Sequence, residues 1–401
     1  MVLQHTYNGV PYPELTAALK LINKVSTYRL INYNVLTYDK KELNEQTVET
    51  AGVFRSVVFR AGKLLVFSPP KSLSFVALLD KYPDGVFTYE EIIDGTMINL
   101  FYDEENSKWE MATKKTVGAE TAFFTQGKFK GTETFRHLFL EVCEAVKLNL
   151  DILPKNNCYS FVFQHPKNRI VTPIKEMKLY LITAYTLDNS NYTATEVANE
   201  DLQDYVGHSE VQFPNKMIPD GKLLYEANTN TWQLPYEMPG VMVHHRASGA
   251  RSKIRNEGYE HVRKLRGNQP KLQYQYFVLR KTNQTNEYLY YYPEMRGIFT
   301  TFDNEITEYT ITLFNYYINC YRHRTMPLKE FPYEFRTHMY NINQNYKKYM
   351  YIGVSIEDAI YEYVNELEPA QLMFSLNYKY RPAREEPEAE AEKEQDDIVP
   401  P

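Results

Sequence analysis

Hydrophobic positions along the chain follow two periods. Short runs with strand character, separated by Gly, Pro, Asn and Asp, predict strands at residues 56–59, 63–67, 96–102, 160–164, 178–187 and 241–245, with another run from Phe87 to Ile93. Helical spacing recurs near the start, where Pro13-Glu14 precedes Leu15, Ala18, Leu19 and Ile22 on one face. It returns at residues 132–146, where Phe135, Leu138, Phe139, Val142 and Val146 face one way. Beyond Lys281 the texture changes to helices rich in Tyr and Asn at 306–324, 331–350 and 355–367, the last with Ser355 and Asp358 as a capping pair and Pro369 as a stop. Strands and helices that mix without regular alternation predict an α+β fold rather than a doubly wound sheet.

The 401 residues are enough for two cores, and the pattern divides them into residues 1–280, a helical region 281–380 and a tail from Arg381. No apolar run reaches membrane-spanning length, and Met1-Val2-Leu3-Gln4-His5-Thr6 lacks the features of a signal peptide. Three cysteines, an odd number without metal spacing, predict free thiols in a reducing, intracellular setting rather than a secreted protein. The net charge of −6 is concentrated in the tail, where eight acids face three bases, so the tail should be disordered and the remainder is nearly neutral. A basic groove, and with it nucleic acid, is therefore not excluded by total charge. The 35 tyrosines could stack bases or pack a core.

Five stretches carry the chemistry. They are Phe54-Arg55-Ser56-Val57-Val58-Phe59, Pro69-Pro70-Lys71-Ser72-Leu73, Ile92-Ile93-Asp94-Gly95-Thr96, the segment from Phe163 to Val171, and Ser252-Lys253-Ile254-Arg255-Asn256-Glu257-Gly258-Tyr259. In this order and spacing the chain resembles phage-type RNA ligases and their relatives in large DNA viruses. The resemblance implies a nucleotidyltransferase domain with ATP-grasp-like antiparallel sheets around a nucleotide pocket, followed by a C-terminal helical domain. It also implies that Arg55, Lys71, Lys114 or Lys115, Lys253 and Arg255 hold the nucleotide and its phosphates, with Asp94, Gly95, Tyr259 and Tyr38 at their sides. Charge-assisted bonds from such groups to phosphate are strong.

The residues that would perform the reaction depart from the family pattern. Ile92 stands where the family has the lysine that attacks ATP, and an isoleucine side chain has no lone pair to form a phosphoramidate. Val162 and Pro239 stand where the family has glutamates, with Gln164 the nearest polar substitute, and neither side chain can ligate Mg²⁺. The expectation is an RNA ligase-like protein, viral in kind, that binds ATP or another nucleotide, RNA, or both, and does not adenylate itself. Its place would be the host cytoplasm or the virion, with no membrane partner. One alternative is an active ATP-dependent ligase, using Mg²⁺, with a relocated nucleophile. Another is a virion or transcription-complex scaffold that meets viral proteins through the helical region.

Lys81, in Lys81-Tyr82-Pro83-Asp84-Gly85, is the candidate for relocation, although two residues separate it from Asp and the sequence reads as a turn. Glu90 and Glu91 should face opposite sides of a strand, as should His244 and His245, so neither pair can share a metal ion. His165 reads as a loop or core residue. Arg251, Arg263, Lys264 and Arg266 form the best candidate basic patch for a nucleic-acid backbone.

Overall fold

A computed structural model describes residues 4–6, 16–17, 19–122, 133–190, 192–218, 235–350 and 353–380. It divides into two compact units, Met1–Lys271 and Leu272–Pro401. Strands of the first unit are β1 (Gln4–Thr6), β2 (Ile22–Tyr28), β3 (Ile31–Thr37), β4 (Val57–Arg60), β5 (Lys63–Phe67), β6 (Phe87–Glu91), β7 (Thr96–Asp103), β8 (Lys108–Ala112), β9 (Asn157–Gln164), β10 (Lys178–Asp188), β11 (Thr193–Glu196), β12 (Lys216–Met217), β13 (Gly240–His245) and β14 (Arg251–Arg255). They form a six-stranded sheet in the order β1-β11-β10-β9-β7-β8 and two four-stranded sheets, β2-β3-β4-β5 and β12-β6-β13-β14. The strand pairings within all three sheets are antiparallel.

The six-stranded sheet is apolar on both faces, and its period of two assigns each residue to a side. Ile98, Leu100, Tyr159, Phe161 and Phe163 face the helix Phe135–Ala145 and pack on its Leu138, Phe139 and Val142. Phe101, Cys158 and Tyr185 face the other way and meet Tyr33, Val35, Val57, Val66 and Phe67 of the β2–β5 sheet. Each large side chain buried this way contributes roughly 1.5–3 kcal/mol. The third sheet has a smaller core, in which Leu78 of the helix Phe75–Lys81 sits on Val241, Val243 and Ile254.

One polar lock fastens the first two sheets. The Tyr33 hydroxyl donates to Asp103 Oδ2 at 2.8 Å, and Arg60 Nη1 donates to the same oxygen at 2.7 Å. Burial alone would raise the Asp103 pKa, but hydrogen bonds from Tyr33 and Asn106 and the Arg60 charge hold it below the ordinary value of 3.8.

The second unit contains the helices Leu272–Lys281, Thr285–Tyr291, Arg296–Tyr317, Tyr333–Met350, Ile356–Glu366 and Pro369–Leu376. Aromatic rings fill it: Tyr288 stacks on Phe299 at 5.1 Å and on Tyr292 at 4.7 Å, and Tyr309 stacks on Phe335 at 4.8 Å. Many tyrosines are therefore core residues, with Tyr33, Tyr159, Tyr288, Tyr292 and Tyr317 almost wholly enclosed.

Several expectations change. Ile22 does not continue a helix but begins β2, whose Ile22 and Val25 are exposed while Ser26 and Tyr28 are buried. The inversion has a polar cause: Ser26 Oγ accepts the Val117 amide at 2.9 Å, so the hydroxyl rather than the aliphatic side chain belongs inside. The helix Phe75–Lys81 was not expected, since it has one buried apolar residue and its start is fixed by the Ser74 cap to the Ala77 amide. Pro369 does not only end one helix; it stands in the first turn of the next. The boundary between units falls one helix before residue 281, because Leu272, Tyr276 and Phe277 bury themselves in the helical unit. Leu15 and the tail from Arg381 lie outside the described residues.

Asp103→Ala should remove about 3 kcal/mol of stability in denaturant titrations near neutral pH, since it strips a buried pair of its anion. A depressed carboxyl contributes stability above its unfolded pKa and loses it as pH falls. The difference between wild type and variant should therefore narrow below pH 3.8, the ordinary carboxylate value.

Candidate functional site

The five stretches converge. Strand β14 projects Arg251, Lys253 and Arg255 from one face, while Ser252 and Ile254 are buried on the other. The proline-rich stretch is stitched alongside: the Leu73 amide donates to the Arg251 carbonyl at 2.8 Å, Ser252 Oγ donates to the Leu73 carbonyl at 3.0 Å, and Arg251 Nε donates to the Pro70 carbonyl at 3.1 Å. The Lys71 amide reaches the Gly52 carbonyl at 2.9 Å, and the Tyr38 amide reaches the Phe54 carbonyl at 2.7 Å, which brings Arg55 and Tyr38 to the same place. Lys114 Nζ lies 4.6 Å from the Tyr38 ring centre and donates to its hydroxyl at 3.3 Å.

These cations act on one another. Lys253 is pushed down to about 7, first by burial and then by the charges of Arg55, Arg251, Arg255 and Lys71. Lys114 falls to about 8 through burial and the charges of Arg55, Lys40 and Lys115. Arg251 falls to about 10, mainly by burial, and Arg55 and Lys71 are lowered in the same way. Among the described residues, no carboxylate pairs with the side chains of Arg55, Lys71, Lys114 or Lys253; Arg255 alone of the set is paired, with Glu260. A concentration of positive charge with one paired carboxylate has the electrostatics that suit an anion. Beside it lies a cavity of about 410 Å³ whose lining includes Tyr38, Lys40, Glu45, Lys71, Ser72 and Ser74, within the size range of small-molecule pockets.

The Asp-Gly motif has internal work. Asp94 is buried, and its Oδ2 accepts the Val171 and Thr172 amides at 3.1 and 2.8 Å. Its Oδ1 accepts the Tyr259 hydroxyl at 2.8 Å, and its carbonyl accepts Gln164 Nε2 at 2.8 Å. Asp94 and Tyr259, expected to contact nucleotide, are thus a clamp between β7, the loop after β9 and the helix Glu257–Arg266. Gly95 is required by closeness, since a Cβ there would lie 2.5 Å from the Phe163 carbonyl oxygen and 2.7 Å from Val162 Cγ1. Gly240 has φ +133°, and a Cβ on it would stand 2.1 Å from the Ile254 carbonyl oxygen.

The three departures from the family pattern surround this clamp. The Ile92 amide bonds the Gly240 carbonyl at 3.1 Å, next to Pro239, and Val162 approaches Gly95. The neighbouring carboxylates are spent elsewhere: Glu91 Oε1 accepts Asn215 N at 2.9 Å and Nδ2 at 2.7 Å, and Glu90 lies 3.5 Å from His244 Nε2. Among the described residues, no cluster of three or more His, Cys, Asp or Glu side chains could hold a metal ion. The donor set here does not fit Mg²⁺.

Lys81 ends its helix in an ion pair with Glu49, whose hydrogen bond raises the lysine pKa. His244 and His245 point apart as expected, His245 stacking on Tyr82 at 4.0 Å. His165 is buried beside Glu141, with Nε2 3.2 Å from its carboxylate. The expected patch of Arg251, Arg263, Lys264 and Arg266 is not one surface. Arg251 turns to Pro70, Arg263 pairs with Glu260 at 3.2 Å, and Arg266 is buried with Nη2 donating to the Arg169 carbonyl at 3.2 Å. Arg251 belongs instead to the anion site, and its spacing of two from Lys253 was the signal. Lys40 carried no such signal.

Over 102 residues, 24% of this chain and 23% of the other, the sequence is 29% identical to an RNA ligase of Rhodothermus phage RM378. Over that stretch the chain is similar to an RNA ligase. The match spans about a quarter of that relative's length. No protein-family model matches the chain. Similar solved structures include an archaeal ATP-dependent RNA ligase (11% identity, 68% of this chain and 66% of that one, TM-score 0.41). A Naegleria gruberi RNA ligase variant with ATP and Mn is also similar (11% identity, 66% and 84%, TM-score 0.37).

Two measurements check this geometry. Tyr259→Phe should cost about 1–2 kcal/mol in urea titrations, because the buried Asp94 carboxylate loses one of its donors. Competitive amine labelling across pH should show Lys253 titrating near 7, far below the ordinary lysine value of 10.5.

Proposed function

We propose that this protein is an RNA ligase-like phosphate binder that holds a nucleotide or the phosphate of an RNA end and does not adenylate itself. One observation carries the reading. The cations of three motifs, Arg55, Lys71, Lys253 and Arg255, share one site with Lys114, while the Asp-Gly motif offers Ile92 in place of a nucleophile. RNA enters the reading through the resemblance to RNA ligases and the phage relative. A relocated nucleophile at Lys81 is disfavoured, because an ammonium held protonated by Glu49 has no lone pair to attack phosphorus.

Incubation with α-labelled ATP and Mg²⁺ or Mn²⁺ should leave no label on the denatured protein. A band abolished by Lys253→Ala or Lys81→Ala would overturn the inactive assignment. Ile92→Lys should not restore ligation, since Val162 and Pro239 leave the carboxylates missing. Changing Lys253 and Arg255 together to alanine should weaken ATP or RNA binding by roughly tenfold and flatten its salt dependence. Unchanged affinity, with an intact fold by circular dichroism, would favour the scaffold alternative.

A further inference from the structure

The anion site is rich in cations and poor in the oxygen donors that a divalent ion needs. Lys253 is buried in a crowd of cations, and after burial itself the charges of Arg55, Arg251, Arg255 and Lys71 lower its affinity for a proton. Three carboxylates on the adjoining elements are already committed, Asp94 to two amides and Tyr259, Glu91 to Asn215, and Glu260 to Arg255, which leaves the exposed Glu45 on the wall of the adjoining cavity. Mg²⁺ keeps an octahedral shell of oxygens and is normally tethered by one or two carboxylates, in addition to phosphate. Here it would meet ammonium and guanidinium groups instead, and they would repel it.

We propose that the ligand of this site is a polyphosphate bound as the free anion, not as its magnesium complex. The inference rests on the phosphate-binding reading above and extends it. The protein supplies the countercharge that Mg²⁺ supplies elsewhere. A free polyphosphate relieves the mutual repulsion of the cations, whereas a magnesium complex arrives with part of its charge already neutralised and offers less relief. Burial first, and then crowding, bring Lys253 to about 7 and Lys114 to about 8; an anion among them offsets the crowding, so each amine binds its proton more tightly as it gains a partner. Magnesium then competes for the ligand rather than assisting it.

The test is a calorimetric titration of the full chain at matched ionic strength, in EDTA and in excess Mg²⁺. The probes are ATP and an RNA oligonucleotide carrying a 5′-triphosphate, and tighter binding in EDTA by either one supports the inference. Where Mg²⁺ sequesters nine-tenths of the ATP, its apparent affinity should fall about tenfold. Equal or tighter binding of both probes in Mg²⁺ would overturn the inference while leaving the phosphate-binding reading intact. Absence of binding in both conditions would overturn that reading as well. Lys253→Met should weaken binding in EDTA by about tenfold, as the loss of one charge-assisted contact implies. Undiminished affinity in a folded variant would place the ligand somewhere other than this site.

Discussion

The carboxylate of Asp94 sets the geometry on which the site depends. It is buried in the first unit and takes hydrogen bonds from two backbone amides and one phenol. Hydrogen bonds to a charged acceptor are worth about 1.5–3 kcal/mol each, and losing one leaves a buried oxygen unsatisfied. Through these bonds the start of β7, the loop after β9 and the helix that follows β14 become one rigid piece. Asn256 reinforces that end, donating to the Pro235 and Met238 carbonyls at 2.8 and 2.9 Å while capping the helix at Gly258. Because β14 is fixed, Arg251 and Lys253 are held beside Arg55 and Lys71, while Arg255 at its end is exposed and pairs with Glu260.

That arrangement explains what the site retains and what it lacks. Glycines 95 and 240 are constrained by backbone that lies within a bond length or two of where a side chain would begin. They serve the fold whether or not a reaction occurs. Ile92, Val162 and Pro239 are under no such constraint, since each occupies space without a bond that the clamp needs from its side chain. The scaffold and the clustered cations therefore do not depend on which side chains stand at positions 92, 162 and 239. Like charges held together without an anion cost stability, and a site that bears this cost is suited to a polyanionic ligand.

The helical unit has a separate logic. Its interior is built from rings rather than aliphatic side chains, and its tyrosines use the phenol as a polar handle, as when Tyr276 donates to Asp303 at 3.0 Å. Much of the tyrosine that the composition offers for base stacking is thereby consumed in packing.

Period-two and helical patterns in the sequence alone located β7, β9 and β10 of the six-stranded sheet, the helix Phe135–Ala145 and the long C-terminal helices, because those segments bury an apolar face that the alternation of residues records. The ordered motifs also marked Arg55, Lys71, Lys253 and Arg255, and the missing lysine at Ile92. Other features had no local signature. Strand β2 buries Ser26 because of the Val117 amide in the loop after β8, and Asp94 and Tyr259 are partners 165 residues apart in sequence. Arg251 belongs with Lys253 only once Pro70 is beside it, and Arg266 is buried only because the Arg169 carbonyl awaits it. Periodicity reports how one segment divides between water and core. Which polar groups meet across that core is decided when the sheets pack, and the tertiary structure alone determines it.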